Sequence, residues 1–371
     1  MAAMETVSEE ARAVLRRLKE HGNVLIVGAP ATGKTRLLLE VRQAFEWTPA
    51  PSYAPESTVP LPAIPEDVGA WLPSPERLQR KAFETVFHQN TRFGEILRAR
   101  EARVSTDGSE GVTFRISEGI LYRASQYAVD PDGTALLIID EINRGPAVSV
   151  FGPALPALEY DKRLGDDAAM LNTTARFDLL NDNGDYQPYA FPKHLYVLAA
   201  MNQADTSIEA LDVAFLRRWE PHRLVPDGDV LLTHFNLASA DGELPATPTS
   251  HEDVYRAAVR GWTAVNKRIR LGRGSEFEIG HGVLMNGEPP ATIEEALDYV
   301  HHGWRRIRNH LDEVFFGSVD GLAAALNVGG TADHPIKRET EMFANDSVSY
   351  LEEPTLGNDT LYKTLRAVAA S

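Results

Sequence analysis

The chain has 371 residues, of which 43% are hydrophobic and 24% are charged, and it contains no cysteine. This composition is typical of a globular protein of two or three domains, and it excludes disulfide bonds, thiolate catalysis and cysteine-based zinc sites. No apolar run approaches membrane-spanning length and nothing marks secretion, so we expect a cytoplasmic protein. The net charge of −16 opposes unaided binding to nucleic acid, although a ring or channel can still gather basic side chains locally.

The first predicted element is a helix within residues 1–22. Ser8 is suited to cap its first turn. The apolar residues of this segment recur at helical spacing on one face: Ala11, Val14, Leu15 and Leu18.

The next segment predicts a phosphate-binding loop. A short apolar, β-branched strand at 24–27 is followed by a glycine-rich turn and then by a helical pattern that begins at Thr35. The turn reads Gly-x4-Gly-Lys-Thr, in which backbone amides surround phosphate oxygens, Lys34 reaches the β- and γ-phosphates, and Thr35 holds Mg²⁺. The predicted nucleotide-binding residues here are Gly28, Ala29, Pro30, Ala31, Thr32, Gly33, Lys34, Thr35 and Arg36.

A second buried strand, residues 135–139, runs into two carboxylates. Asp140 is predicted to hold Mg²⁺ through its water shell, and Glu141 to orient and polarise the water that attacks the γ-phosphate. An Asp-Glu pair alone is a common solvated strand end. The apolar run before it and the phosphate loop upstream favour the catalytic interpretation.

Two further polar signals follow at short range. An apolar strand from Leu195 ends on Asn202, which is predicted to bridge the γ-phosphate and the attacking water. Asparagine after a strand is otherwise most often a turn former. The adjacent Arg217 and Arg218 are usually a solvated helix end, but at this distance from Asn202 they are candidates for the arginine that stabilises γ-phosphate charge in a neighbouring subunit.

Taken together, these motifs resemble the AAA+ superfamily, and specifically the McrB-type motor subunits of restriction systems in the MoxR/McrB branch. The resemblance covers roughly residues 20–315 and includes Asn143 and Arg144 after the carboxylates. The stretches that carry it are GAPATGKT, VFHQ with the following Phe93, EGILY, IIDEINRGPAVSVFGPALPALEYDKR, AAMNQAD, LDVAFLRRWEP and FEIGH.

The resemblance implies an α/β fold, with a parallel sheet sandwiched by helices and a small C-terminal helical lid. It further implies a Mg²⁺-dependent NTPase that forms a ring, most simply a hexamer, because the arginines act on a neighbour's nucleotide. The substrate is GTP or ATP, and the partner is a McrC-like activator and nuclease. A MoxR-like chaperone that remodels protein partners is the alternative function. A scaffold that does not hydrolyse nucleotide is disfavoured because the motif residues are all present.

The chain departs from the family pattern in two ways. The Met-Asn motif usually continues with an arginine after its aspartate, but Asp205 is followed by Thr206, which puts family-like turnover in doubt. Restriction-type members also carry an N-terminal domain that reads modified DNA, whereas the first strand here begins after only 23 residues. We therefore expect DNA to be contacted through a partner.

The predicted organisation is an N-terminal helix (1–22), an α/β core (23–228), a helical lid (229–316) and a C-terminal extension (317–371) without an assigned role. Within the core, eight prolines at 46–75 predict an extended surface loop, and an Asn-Asp-Asn-Gly turn predicts a loop or hairpin at 166–190. In the lid, His281 is a candidate for a position near the base. Several arginines there are weaker candidates for phosphate contact: Arg268, Arg270, Arg273, Arg305, Arg306 and Arg308.

Overall fold

The computed structural model describes residues 7–48, 64–104, 112–204, 211–344, 346–355 and 357–370. By its internal contacts the chain divides into two compact units. The N-terminal unit contains the residues up to Val27 and then Lys34–Arg223, and the C-terminal unit contains Gly28–Gly33 and Leu224 onward. The glycine-rich turn of the phosphate loop therefore packs with the C-terminal unit, although its neighbours in the chain belong to the other one.

The N-terminal unit contains both helices and strands. Its strands are β1 (Asn23–Gly28), β2 (Gln79–Val86), β3 (Arg98–Val104), β4 (Val112–Glu118), β5 (Gly133–Asp140), β6 (Phe177–Leu180), β7 (Tyr186–Tyr189), β8 (Leu195–Asn202) and β9 (Glu220–Leu224). Its helices are α1 (Glu9–His21), α2 (Lys34–Phe45), α3 (Glu66–Gly69), α4 (Phe93–Ile96), α5 (Ile120–Val129), α6 (Ala147–Phe151) and α7 (Val213–Leu216).

Five of these strands form one sheet in the order β2-β5-β8-β1-β9. β5 pairs in parallel with both β2 and β8. The central strands are buried along almost their whole length, which explains their continuous apolar sequences. Since β8 lies between β5 and β1, the residues that end these strands meet at one edge of the sheet. The α/β fold predicted from the sequence is confirmed.

The N-terminal helix α1 begins as its sequence predicts. The Ser8 side chain accepts a hydrogen bond from the amide of Ala11 at 3.2 Å, which satisfies one of the unpaired amides of the first turn. The predicted apolar face is buried, namely Ala11, Val14, Leu15 and Leu18.

Two hairpins project from the core sheet. One joins β6 and β7, within the predicted 166–190 loop, and its turn is closed by Asn181, whose Oδ1 accepts from the amides of Asn183 and Asp185. The other joins β3 and β4 and was not predicted from the sequence. Its signal was the alternation of apolar and polar residues along β4, where Val112, Phe114 and Ile116 are every second residue.

Only part of the proline-rich segment, which its composition predicts to be a surface loop, lies within the described residues. Residues 49–63 lie outside the described ranges. Residues 66–69 form the short helix α3, and Trp71 and Leu72 after it are buried. The prediction of an extended surface loop is therefore wrong for this part, because the apolar side chains of Trp71 and Leu72 are drawn into the core.

The C-terminal unit is mainly helical. Its elements are α8 (Gly228–His234), α9 (His251–Gly272), α10 (Ile293–Val314), α11 (Val319–Ala325), the hairpin of β10 (Lys337–Phe343) with β11 (Asp346–Glu352), and α12 (Asn358–Ala369). The Ser250 side chain and Asp253 cap α9 reciprocally. The long helices share one apolar core, to which Leu361 and Leu365 of α12 contribute, so part of 317–371 belongs to this core. No helix among the described residues has the length and apolar character needed to cross a bilayer.

Candidate active site

The glycine-rich turn is stabilised by a hydrogen bond between its own residues. The Thr32 hydroxyl donates to the Ala29 carbonyl at 2.8 Å. Ala31 has a φ of 61° and Gly33 a φ of 90°, so the backbone twice enters the left-handed region. A Cβ on Gly28 would lie only 2.8 Å from the Leu224 carbonyl oxygen, so that position requires glycine. This winding is the form in which successive amides can face an anion.

Lys34 begins α2, and its side chain is buried. Burial lowers the pKa of Lys34 from 10.5 to about 8, and the nearby carboxylates of Glu141 and Asp140 partly oppose that shift. The ammonium group therefore lies within electrostatic range of both carboxylates. Thr35 and Arg36, the next two residues of the helix, are exposed.

Glu141 is held from two sides at the end of β5. Its Oε1 accepts a hydrogen bond from the Asn202 side-chain amide at 2.8 Å, and its Oε2 lies 3.4 Å from Arg144. Glu141 has a φ of 52°, which is costly for a residue with a side chain and indicates a conformation imposed by its surroundings. Asp140 accepts from the Glu141 amide at 2.9 Å. The two carboxylates thus have different hydrogen-bond partners, as the two different predicted roles require.

Asn143 supports the asparagine that holds Glu141. Its side-chain amide donates to the Asn202 backbone carbonyl at 2.9 Å, and Asn143 is itself buried. This contact links the turn after β5 to the end of β8. From the sequence, Asn143 was noted only as part of the family resemblance and had no predicted function. Its place two residues after Glu141 in the DEINR block is the signal that indicates one.

The structure separates the two adjacent arginines. The Arg217 side chain is 64% exposed and lies 3.8 Å from Glu159. The Arg218 side chain is only 6% exposed, lies 3.2 Å from Glu159 and also donates to the Ala214 carbonyl. Arg218 is therefore held by contacts within its own chain. Arg217 is the member of the pair that can reach a neighbouring molecule.

The donor set fits Mg²⁺ that arrives with a nucleotide. Thr35 and Asp140 offer a hydroxyl and a carboxylate, the hard oxygen ligands that Mg²⁺ prefers. Asp140 is near enough to Lys34, the residue before Thr35, to influence its pKa, which fits a site completed by phosphate and water. Within the described residues, no cluster of three or more His, Asp or Glu side chains could hold a metal without such help.

The remaining predicted residues lie elsewhere. In the C-terminal unit, the His281 Nδ1 accepts a hydrogen bond from the Asp227 amide at 3.3 Å. Several of the candidate arginines are held by neighbours in this unit: Arg268 by the carbonyls of Val368 and Ala370, Arg270 by Glu278, Arg306 by Asn286, and Arg308 by Asp312 and Glu353. Asp205 and Thr206, where the motif departs from the family pattern, lie outside the described residues.

Part of the N-terminal unit matches a known domain family. Residues 74–219 match the family described as an AAA domain of the dynein-related subfamily, a span that contains Asp140, Glu141, Asn202 and both arginines. Among solved structures, PCH-2 from C. elegans (12% identity, TM-score 0.33, 82% of this chain and 69% of that one) and NtrX from Brucella abortus (10%, 0.32, 86% and 64%) align too loosely to add to the assignment.

Two curated relatives come from restriction systems. The EcoKMcrB subunit of the type IV methyl-directed restriction enzyme of Escherichia coli K12 is 26% identical over 76% of this chain and 51% of its own length. Component YdiS of the type II restriction enzyme BsuMI from Bacillus subtilis 168 is 28% identical over 53% of this chain and 55% of its own. The chain thus spans about half the length of each. The sheet and the matched AAA domain give the chain an AAA+ fold, and its sequence is similar to McrB-type components of restriction systems.

Proposed function

We propose that the chain is a nucleoside-triphosphate-hydrolysing motor of a restriction or anti-phage defence assembly. The observation that carries the proposal is the hydrogen bond of 2.8 Å from Asn202 to Glu141, beside a buried Lys34 whose pKa responds to Glu141 and Asp140. A lysine, a held carboxylate and a second carboxylate at one sheet edge are the groups that phosphoryl transfer to water needs.

In this mechanism the phosphate-loop amides and the Lys34 ammonium bind the β- and γ-phosphates. Glu141 accepts a hydrogen bond from the attacking water and aligns it with the γ-phosphorus, while Asn202 fixes the carboxylate by occupying its Oε1. Thr35 and Asp140 would hold Mg²⁺, which supplies charge neutralisation at the phosphates. Arg217 of a neighbouring subunit would stabilise the charge that develops on the γ-phosphate.

The proposed assembly follows from the arginine and the relatives. Arg217 is exposed, and an arginine acting on a neighbour's nucleotide requires a ring, for which we propose a hexamer. Because both curated relatives are components of restriction enzymes, we propose a McrC-like activator and nuclease as the partner. The charge of −16 supports contact with DNA through that partner rather than directly.

Phosphate release tests this proposal. The purified protein is assayed with GTP and with ATP, each with and without double-stranded DNA and the product of the adjacent gene. We expect turnover that rises with the partner, or with partner and DNA together, and GTP as the substrate implied by the family, with ATP next. Robust turnover that is indifferent to both would favour the alternative, a MoxR-like chaperone that remodels protein partners.

A further inference from the structure

A short segment of the C-terminal unit lies directly against the phosphate loop. The Gly280 amide donates to the Pro30 carbonyl at 2.8 Å, and the Gly282 amide donates to the Ala31 carbonyl at 2.9 Å. These are the two carbonyls in the middle of the glycine-rich turn. We call residues 277–282 the loop clamp.

The approach is so close that only glycine fits at the first contact. A Cβ on Gly280 would lie 2.0 Å from the carbonyl carbon of Ala31 and 2.3 Å from the Thr32 nitrogen. A Cβ on Gly282 would lie 2.9 Å from the Ala31 oxygen, a smaller conflict. The glycines of the FEIGHG sequence are therefore explained by backbone contact with the loop and not by turn geometry, since neither has a positive φ.

The loop clamp is itself fixed by the long helices. The Asn266 side chain on α9 pairs with both backbone groups of Ile279, accepting from its amide at 2.7 Å and donating to its carbonyl at 2.8 Å. The indole of Trp262 donates to the same carbonyl at 2.9 Å. From α10, His310 donates to the Phe277 carbonyl at 2.7 Å. The residues just before Gly280 therefore have little freedom to move.

Fixing these carbonyls also fixes the amides on the other side of the turn. In a trans peptide the C=O and the N–H of one unit point in opposite directions. With the Pro30 and Ala31 carbonyls directed at the loop clamp, the amides of Ala31 and Thr32 must be directed away from it. The same bonds hold Ala31 at a φ of 61°, a conformation that a non-glycine residue keeps only when its surroundings require it.

We infer that Gly280 and Gly282 are positioning residues that preset the phosphate loop for anion binding, with Asn266 as their support on α9. The inference rests on the proposed function, because that function supplies the triphosphate that the loop amides bind. Preorganised donors bind without first paying the entropy of ordering, so loss of the clamp weakens nucleotide binding itself.

The test compares Gly280→Ala, Gly282→Ala and the matched control Gly357→Ala, whose added Cβ meets no atom within 4 Å. Affinity for N-methylanthraniloyl GTP and ATP is measured with Mg²⁺ on the full chain, and thermal unfolding is followed by circular dichroism. We expect affinity to fall at least about tenfold in Gly280→Ala and less in Gly282→Ala, with the control at the wild-type value.

Hydrogen exchange gives a second readout that needs no variant. The amides of Gly280 and Gly282 are expected to be protected in the nucleotide-free protein.

If Gly280→Ala does not fold, Gly282→Ala and the exchange data decide. Wild-type affinity in Gly282→Ala, or fast exchange at both amides, overturns the inference while leaving the nucleotide site in place. Failure of the wild-type protein to bind either nucleotide overturns both the inference and the proposed function.

Discussion

At the scale of single residues, adjacent residues of the same type in the site differ in their partners and exposure. Asp140 and Glu141 are adjacent carboxylates with different partners, and Arg217 and Arg218 are adjacent arginines of which only one is exposed. The types of these residues and their spacing were predictable from the sequence. Their division of roles was not, because it depends on the burial and the hydrogen-bond partners that the fold gives each side chain.

Lys34 predicts a pH dependence of nucleotide binding. Its lowered pKa means that the free protein loses this proton as the pH rises through about 8, whereas a bound triphosphate favours the protonated form. Binding should therefore take up a proton once the pH exceeds about 8, and affinity should weaken by up to about tenfold per pH unit above that value. Calorimetric titration in buffers of different ionisation enthalpy measures both. Lys34→Arg is the control, since a guanidinium does not titrate there, and equal proton uptake by that variant would contradict the assignment.

The arginine pair predicts opposite phenotypes. Arg217→Ala should lower the nucleotide turnover of the assembled protein by about 10³-fold or more. Its thermal stability should not change, because the Arg217 side chain is mostly in solvent. Arg218→Ala should cost about 1–3 kcal/mol of folding free energy, because Glu159 and the Ala214 carbonyl lose the buried guanidinium that they bind. Measurements of phosphate release and of thermal unfolding distinguish the two variants. A stable Arg218→Ala variant without turnover, beside an active Arg217→Ala variant, would reverse the assignment.

At the scale of elements, Arg98 joins the two hairpins of the N-terminal unit. It lies at the start of β3, is 4% exposed, donates to the Leu180 carbonyl of β6 at 2.8 Å, and forms ion pairs with Asp182 in the adjoining turn and with Glu118 of β4. Its guanidinium also lies 4.5 Å from the ring centre of Tyr122. Arg98 thus links the two hairpins, together with Arg100 of β3, which donates to the Gly184 carbonyl at 2.5 Å.

Replacing Arg98 should therefore loosen a hairpin that is distant in sequence. We expect Arg98→Ala to lower the free energy of unfolding by about 1–3 kcal/mol and to speed amide exchange in the turn between β6 and β7. Hydrogen exchange with mass spectrometry measures the local effect. Arg115→Ala, at an exposed position of β4, is the control. If exchange at 181–185 is equal in the two variants, Arg98 does not anchor the turn.

These elements also show what sequence patterns reveal. The buried strands β5 and β8 and the helices α9 and α10 were predictable because continuous or 3.6-residue apolar patterns follow from burial. The loop clamp was not, because it acts through backbone amides and carbonyls that no side-chain pattern records. Its one trace in the sequence is the pair Gly280 and Gly282, of which the family resemblance included only Gly280, without a reason.

At the scale of the whole molecule, the boundary between the two units divides a motif that the sequence presents as continuous. The glycine-rich turn packs with the C-terminal unit, whereas Lys34 and the carboxylates belong to the N-terminal one. We predicted the turn and the lysine as parts of one α/β core, since sequence spacing carries no information about which contacts dominate.

The measurement that tests the account most directly is phosphate release by Glu141→Gln beside direct nucleotide binding. Glutamine keeps an oxygen to accept from Asn202 but cannot act as a base towards water. We predict that the variant binds GTP or ATP and assembles like the wild type while its turnover falls by at least about 10²-fold. Turnover equal to that of the wild type would remove Glu141 from catalysis and contradict the proposed mechanism.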